Sequence, residues 1–298
     1  MKKFILCITS LVVFFSCQKV LDLDAETKTP KLVVNSLFND QNSWEVKVTK
    51  SLSVLDNGNL TKVENAIVSI YDGATLVSNL TYDGEKYAVL GLSAPPTPGK
   101  EYRVEVSAPN FTSILARDFC PLPVAIISAD TTSVTTTFDQ KEQTVTLKFQ
   151  DPAGIDNFYG IQLDLERYYR IFNNSQNRWD TTLNYTDRMY LSSSNPIVDN
   201  SGPDSYSQTL TLKDNLTDGQ LQTITFSYTN YNSVTTNEFE IKKIKLLSFT
   251  ENTYKYSKSI ETYQSVEGNP FAEPVQVFTN IEGGFGIFGG QSLSEISF

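Results

Sequence analysis

The sequence predicts a mainly β protein made of two β-sandwich-like units, with one short helix near the C-terminus. Two observations predict this fold class. Apolar and polar residues alternate with a period of two along most of the chain, as they do in half-buried strands. Turn signals separate these runs at short and regular intervals, which is typical of a sandwich. The period becomes helical only near residues 251–266.

Residues 29–119 form the first predicted unit, a small sandwich of the immunoglobulin or transthyretin kind. The pairs Asp72–Gly73 and Asp83–Gly84 lie between alternating runs, and aspartate followed by glycine is a strong hairpin signal. We therefore expect short antiparallel strands joined by tight turns. The predicted strands of this unit are 31–35, 44–49, 66–71, 75–82 and 101–106.

Residues 120–124 are the predicted linker, because two prolines within them interrupt any strand pairing. Cys120 is expected to be a small buried residue. Residues 125–298 form the second predicted unit, with strands at 144–149 and 158–169 and a hairpin of 208–212 with 222–228 around Asp218–Gly219. The segment 173–208 is rich in Asn, Ser and Asp, and it predicts long loops with one or two weak strands.

The helix at 251–266 is predicted from apolar and aromatic residues at helical spacing, namely Tyr256, Ile260 and Tyr263. Thr250 is a suitable N-cap residue. Glycine and proline after residue 267 are expected to end the helix.

Near the C-terminus, Gly284, Gly286 and Gly289 match the G-x-G-x-x-G pattern of dinucleotide-binding loops. That loop must precede a helix, and none is predicted in the few residues that follow. We therefore expect the glycines to let the backbone pass close to a packed sheet. The apolar side chains between them, Phe285, Ile287 and Phe288, are expected to close the core.

The first residues predict a secreted lipoprotein. Lys2 and Lys3 precede an apolar run at residues 4–15, and Ser16–Cys17 follows. This order resembles a bacterial lipoprotein signal peptide. The resemblance implies removal of residues 1–16, a diacylglyceryl group and an amide-linked acyl chain such as palmitate on Cys17, and a tether at residues 17–28. The alternative is an ordinary signal peptide with a cysteine there by chance.

The net charge of the chain and the residue after Cys17 indicate where in the cell envelope the protein is expected. The chain has a formal net charge of −10 and a pI near 4.6, which disfavours nucleic acid and anionic lipid as partners. No second apolar run approaches spanning length, so we expect contact with the membrane through the lipid at Cys17 alone. Gln18 stands where aspartate would favour the inner membrane, so the resemblance points to the outer membrane. Which face of that membrane the protein occupies is left open.

Composition argues against the common catalytic and metal sites. The chain has no histidine, which excludes Ser-His-Asp triads and histidine-ligated zinc. The pairs Asp151 with Asp156 and Asp199 with Asp204 bracket turns and could ligate Ca²⁺. Neither matches the EF-hand spacing, so turn formation is the preferred explanation. We expect no cofactor, metal or catalytic residue.

Aromatic residues within 168–208 are the candidates for binding. Trp179, Tyr185 and Tyr190 lie among amide and hydroxyl side chains, and such surroundings suit sugar or peptide ligands. Tyr168, Tyr169 and Tyr206 belong to the same segment. The alternative is that these rings cover the core of the second unit.

The segment NPFAEPVQVFTNIEGGFGIFGG, residues 269–290, resembles the closing motif of domain-of-unknown-function family 4249. The segments KLVVNSLFND, NAIVSIYDG, PGKEYRVEVSAPNF and FQDPAGIDNFYGIQL agree with the same family, as does the aromatic helix NTYKYSKSIETYQ. The resemblance implies a lipid-anchored, β-rich envelope protein from Gram-negative bacteria that are rich in TonB-dependent receptors. It implies no chemistry.

Together these features favour a non-enzymatic lipoprotein that binds a ligand or supports a TonB-dependent receptor or another envelope complex. Two alternatives remain at this point. One is a carbohydrate-active enzyme that uses two carboxylates, and the other is a surface adhesin or structural protein.

Overall fold

The structure is a computed structural model. It describes residues 29–52, 60–91, 94–135, 141–199, 205–230, 237–266, 269, 272–273 and 275–298. The predicted signal peptide, the acylation site Cys17, the tether and Asp204 therefore lie outside the described residues.

The predicted fold class is confirmed, because the protein is mainly β, with 56% of the described residues in strands and a single short helix among them. Fifteen strands are described, in the order β1 (Leu32–Asn39), β2 (Glu45–Lys50), β3 (Ile67–Asp72), β4 (Thr75–Tyr82), β5 (Tyr87–Ala88), β6 (Glu101–Ser107), β7 (Ile114–Phe119), β8 (Ile126–Thr135), β9 (Lys141–Gln150), β10 (Phe158–Asn173), β11 (Arg178–Arg188), β12 (Leu210–Lys213), β13 (Leu221–Asn230), β14 (Glu238–Phe249) and β15 (Phe285–Ser297). The helix α1 spans Glu251–Val266, as predicted.

Tight turns join the strands of the N-terminal part. β3 pairs with β4 across the turn at Asp72–Gly73, where Gly73 has a φ of 59°. β4 pairs with β5 across Asp83–Gly84, and the Asp83 carboxylate accepts hydrogen bonds from the backbone of Glu85 and Lys86. Both predicted hairpins are confirmed, since glycine adopts the positive φ that such turns require.

β1 to β7 curl around the first hydrophobic core. Within the 12-stranded sheet they follow the order β15-β1-β2-β5-β4-β3-β6-β7. The last of these strands returns to the C-terminal segment, because Leu115 of β7 forms a bridge with Glu282. The enclosed core includes Trp44, Ile70 and Cys120, so the predicted burial of this cysteine is confirmed.

The second core lies between two layers. One layer is the remainder of the large sheet, β11-β10-β14, with β12 also paired to β10. The other layer is the three-stranded sheet β13-β9-β8. Leu163 of β10, Leu147 of β9 and Phe226 of β13 are fully buried between them.

The predicted hairpin of 208–212 with 222–228 is wrong. β12 pairs with β10 instead, and β13 pairs with β9. The turn at Asp218–Gly219 is present, with a φ of 68° at Gly219, but it sends the chain from one layer to the other. A turn signal fixes where the chain reverses, whereas the burial of both faces decides which strand each run joins.

The segment 173–208, predicted as long loops with one or two weak strands, begins with a longer strand than expected. β10 continues to Asn173 and forms a long antiparallel hairpin with β11. Most side chains of β11 are exposed, so polar residues occupy both of its faces. A strand without a buried face lacks the alternating pattern that identifies strands in a sequence, and its composition resembles that of a loop.

The last strand joins the two parts of the large sheet. β15 runs parallel to β1 on one side and antiparallel to β14 on the other. Ile281 and Phe288, which lie near and within it, complete the first core. Ile287 and Phe288 are buried as predicted, but Phe285 is 44% exposed, with Lys31 over its ring. The prediction for Phe285 is wrong because it lies at the start of the strand.

Glycine is required in β15 for steric reasons. Gly286 has a φ of 101°, and a Cβ there would overlap the carbonyl of Val34 in β1. A Cβ at Gly290 would overlap the carbonyl of Phe119 in β7. The glycines therefore allow close backbone packing, as the sequence predicts, and β15 continues as a strand where a dinucleotide fold would start a helix.

Candidate functional site

The helix α1 begins at a buried polar cluster. The backbone N–H of Thr253 donates to the hydroxyl of Thr250 at 3.2 Å, so the predicted N-cap is confirmed. The Thr250 hydroxyl in turn donates to the Asp118 carboxylate of β7 at 2.6 Å. The N–H of Gly290 donates to the same carboxylate at 3.0 Å. This cluster fixes the start of the helix against both β7 and β15.

Asp118 is almost fully buried in that cluster. Burial raises its pKa from 3.8 to about 6, even though its hydrogen bonds to Thr250, Gly290 and Phe119 favour the ionised form. A carboxylate of this kind needs several donors to remain charged at neutral pH. The cluster therefore has a structural role with an energetic cost, which makes it sensitive to pH.

A cleft of about 720 Å³ runs along one side of α1. Its floor is the face of the large sheet that bears Gln162, Leu247 and Phe249. The helix is one wall, and the segment 205–209 with Tyr190 is the other. A volume of this size is in the range of ligand-binding clefts.

The floor of the cleft depends on Gly160. A Cβ at this position would overlap the ring of Phe249, so glycine lets that ring lie on the sheet. Phe249 is consequently buried, and it lines the cleft together with Leu247 and Gln162. The shape of the cleft thus follows from one small residue in β10.

The rim of the cleft carries exposed tyrosines. Tyr190 is 59% exposed and Tyr206 is 62% exposed, and both line the cleft, as does Tyr256 of the helix. The hydroxyl of Tyr256 donates to Asn35 at 3.3 Å. Among the described residues, Glu261 is the only charged side chain that lines the cleft, and Lys258 lies 3.4 Å from its carboxylate.

Beyond the cleft, the same sheet face carries a row of ion pairs. Asp164 accepts hydrogen bonds from Arg188 and from Lys245, the latter at 2.8 Å. Burial raises the pKa of Asp164, but these two cations outweigh that effect and lower it overall. Lys243 and Glu166 form a second pair at 2.8 Å.

Beyond the ion pairs, β10, β11 and β14 project as an arm, defined here as residues 168–185 with residues 237–240. Phe172 packs edge-on against Trp179, and Tyr168 stacks on Phe239. Six large apolar side chains of the arm are substantially exposed, at 36–60% of their surface: Tyr169, Ile171, Phe172, Trp179, Leu183 and Tyr185.

The base of the arm contains a buried cation. The Arg167 side chain is only 6% exposed and lies 3.1 Å from Glu240 and 3.7 Å from Glu238. The amide of Asn230 also donates to Glu240, and the Tyr185 ring lies beside the guanidinium. Because these charges are removed from water, loss of Arg167 would leave two buried carboxylates without their cation.

An acidic cluster lies at the opposite end of β10. Carboxylate oxygens of Asp151, Asp214 and Asp218 lie within 4.8 Å of one another. Burial raises the pKa of Asp151, although Tyr159 and the N–H of Gly219 donate to it. The sequence analysis groups Asp151 with Asp156, but in the structure Asp151 lies beside Asp214 and Asp218, which follow β12.

The second predicted acidic pair does not form a described site. Asp199 accepts a hydrogen bond from the Tyr254 hydroxyl at 2.7 Å, and it therefore helps to hold α1 in place. Asp204 lies outside the described residues. The carboxylate of Asp199 is thus explained by a contact with the helix.

The predicted binding residues fall in two separate places. Tyr190 lines the cleft, together with Tyr206 of the same segment. Trp179 and Tyr185 lie on the arm, on opposite faces of its hairpin, because their partners Phe172 and Arg167 are an odd number of residues apart on β10. The three residues therefore do not form one site.

The contribution of α1 to the cleft is not apparent in the sequence. Tyr256 and Ile260 suggest a helix face that packs on the core, yet both line the cleft with Gln264. The helical spacing identifies the face correctly. What the sequence lacks is a signal that this face covers the sheet only in part.

These features define a mainly β protein with a helix-covered cleft and a projecting aromatic arm. A family model described as Domain of unknown function (DUF4249) matches residues 18–297. The chain belongs to this family, as its motifs indicate. No curated protein matches the chain significantly. Among the described residues, no helix combines the length and apolar character needed to cross a bilayer.

Proposed function

We propose that this protein is a lipid-anchored, non-enzymatic accessory protein of the bacterial outer membrane, and that it binds an outer-membrane receptor through the arm. The receptor class that the family resemblance suggests is the TonB-dependent receptor. The lipid at Cys17 holds the protein at the membrane, and the arm provides the specific contact.

The exposed apolar surface of the arm is the observation that carries this proposal. Phe172, Trp179 and Leu183 project from one face of the hairpin, and Tyr169 and Ile171 project from the other. Contiguous exposed apolar surface on a folded protein marks interaction sites. Trp and Tyr contribute most to binding energy at such sites, because each buries a large rigid surface.

The position of the arm supports a protein partner. It projects beyond the second core, and the buried group of Arg167, Glu238 and Glu240 holds its base. A hairpin that presents side chains on two faces fits a groove better than a flat surface. A receptor that surrounds the arm would bury both faces at once.

The sequence supports the membrane anchor. Two or more acyl chains on Cys17 would give lasting attachment, since each buried CH₂ contributes about 0.8 kcal/mol. Substitution Cys17→Ala is expected to abolish acylation and to release the protein from the membrane fraction. Labelling with a fatty-acid analogue measures this, and persistent labelling of the variant would contradict the anchor.

Co-purification tests the receptor contact. The tagged full-length protein is cross-linked in cells, extracted from the outer membrane and purified, and its partners are identified by mass spectrometry. We expect a receptor with the wild-type chain and at least a tenfold smaller yield with the double substitution Phe172→Ala and Trp179→Ala.

The matched control for this experiment is Tyr263→Ala. Tyr263 is an aromatic residue of α1 that is 44% exposed but lies away from the arm. The control should retain the receptor, and all variants should have the melting temperature of the wild type. Equal recovery with the arm variant, or no receptor with the wild type, would refute the proposal.

A further inference from the structure

We infer that the cleft beside α1 binds a neutral saccharide. This inference goes beyond the contact proposed for the arm, because the ion pairs of Asp164 and Glu166 separate the two surfaces. It depends on the geometry and chemistry of the cleft and would hold whatever partner the arm binds.

The size and openness of the cleft suit a short oligosaccharide. Its volume of about 720 Å³ is bounded by α1 on one side and by residues 205–209 on the other. The rings of Tyr190 and Tyr206 are 59% and 62% exposed at its rim. Flat aromatic faces pack on the C–H faces of sugar rings, which supplies apolar contact without dehydrating the hydroxyl groups.

Several polar groups in the cleft are free to bind a ligand. The hydroxyls of Tyr190 and Tyr206 and the side-chain amides of Gln264 and Gln291 make no hydrogen bond within the described part of the chain. Each of these groups both donates and accepts hydrogen bonds. Adjacent sugar hydroxyls also do both, so amides and hydroxyls satisfy them without a formal charge.

The electrostatics of the cleft favour a neutral ligand. Lysine and arginine are absent from its described lining, so an anionic sugar or a phosphate would find no counter-charge. Among the described lining residues, Glu261 provides the single carboxylate, and its pairing with Lys258 weakens the attraction for a cation. A ligand rich in hydroxyl groups and without charge is the best match.

The backbone beside the cleft disfavours a peptide. Peptides that bind to sheets usually add a strand to an edge with unpaired N–H and carbonyl groups. At this wall, the N–H of Ser207 donates to Leu191 at 2.9 Å, and the N–H of Leu191 donates back at 2.8 Å. Side chains, and not a free strand edge, therefore determine what the cleft binds.

Calorimetric titration of the detergent-solubilised, full-length protein tests the inference. The probes are maltoheptaose, cellohexaose, xylohexaose and mannohexaose, with a trigalacturonate and tetra-alanine as the charged and peptide alternatives. We expect at least one neutral oligosaccharide to bind and to raise the melting temperature, because a ligand of the native state must stabilise it. The other two probes should not bind.

Variants locate the binding. Tyr190→Ala and Gln264→Ala should each weaken the saccharide about tenfold, and the double variant should abolish measurable binding. Both side chains line an open cleft, so the variants should keep the wild-type melting temperature without ligand. Trp179→Ala is the matched control and should bind as the wild type does.

Three results would overturn the inference. They are no binding of any neutral oligosaccharide, binding that survives the double variant, and binding of tetra-alanine or trigalacturonate alone. The control also separates this inference from the proposed function. Loss of the receptor with Trp179→Ala leaves the cleft unaffected, and loss of the saccharide with Tyr190→Ala leaves the arm unaffected.

Discussion

The two halves of β10 have opposite surroundings along one continuous strand. From Tyr159 to Arg167, its inward side chains are buried against the three-stranded sheet. From Tyr169 to Phe172, every side chain is exposed, although the strand keeps its pairing with β11 on one side. The pairing with β11 continues to Asn173, whereas the pairing with β14 ends at Tyr169. The exposed half therefore lacks the covering layer and most of one neighbouring strand.

This comparison separates stability from recognition within one element. Each large apolar side chain buried in the first half contributes about 1.5–3 kcal/mol to folding. Apolar side chains of the same size in the exposed half contribute little to folding and remain available to a partner. The buried half of β10 therefore attaches the arm to the second core, and the exposed half provides side chains for a partner.

The largest effect is expected from a core truncation in the buried half. Leu163→Ala removes a fully buried side chain between the two sheets, and we expect a loss of about 2–5 kcal/mol in the free energy of unfolding. The matched control is Ile171→Ala in the same strand, which is 60% exposed and should change stability by less than about 0.5 kcal/mol. Urea titration measures both. Similar losses would mean that the halves do not differ.

The boundary between the halves is tested at Arg167. Arg167→Ala leaves Glu238 and Glu240 in a buried site without their cation, which should cost about 3 kcal/mol. Arg170→Ala is the control, because Arg170 is exposed and lies over the Phe239 ring. Thermal unfolding at pH 7 measures the difference, and an unchanged Arg167→Ala protein would show that the base of the arm is not held by this group.

Much of the buried half could be predicted from the sequence, and the reason is periodicity. Residues 158–169 alternate because one face of β10 contacts the core, and 144–149 alternate for the same reason. The exposed half gave no such signal. Residues 178–188 have both faces in water, so β11 has the composition of a loop and its pairing follows only from its neighbour β10.

The sites were predictable in part. Aromatic residues among amides indicated Trp179, Tyr185 and Tyr190, but the division of these residues between the arm and the cleft depends on how β11 ends. The partners of β12 and β13 were not predictable, because both runs alternate and either could pair with the other. Long-range pairing depends on which layers cover each face, and a local turn does not contain that information.

A smaller effect is expected from pH, and its sign differs between two buried carboxylates. Asp164 has a lowered pKa, so its contribution to stability is present at neutral pH and is lost as the pH falls below its usual range. The difference in unfolding free energy between the wild type and Asp164→Asn should therefore grow from pH 3 to pH 7.

Asp118 provides the control with the opposite sign. Its pKa is raised from 3.8 to about 6, so the folded protein binds that proton more tightly than the unfolded chain does. The contribution of protonated Asp118 to the free energy of unfolding is complete below pH 4, and it falls by at most about 3 kcal/mol as the pH rises through 6. The difference between the wild type and Asp118→Asn should shrink over this range. If the difference in unfolding free energy changed with pH in the same direction for both variants, the opposite pKa shifts of Asp164 and Asp118 would be contradicted.

The smallest effect on stability is expected at the tip of the arm. Trp179 is 60% exposed, and Phe172 is its neighbour across the hairpin. Trp179→Ala removes this edge-on contact, which should cost about 0.5–1 kcal/mol of hairpin stability, and the base of the arm lies too far away to respond. The melting temperature of the whole protein should therefore stay within about 1 °C of the wild type, while hydrogen exchange of the β10 and β11 amides near the tip becomes faster. Differential scanning calorimetry and exchange by mass spectrometry measure the two quantities. A large fall in melting temperature would show that the arm contributes to the global fold, and the separation of stability from recognition along β10 would then be wrong.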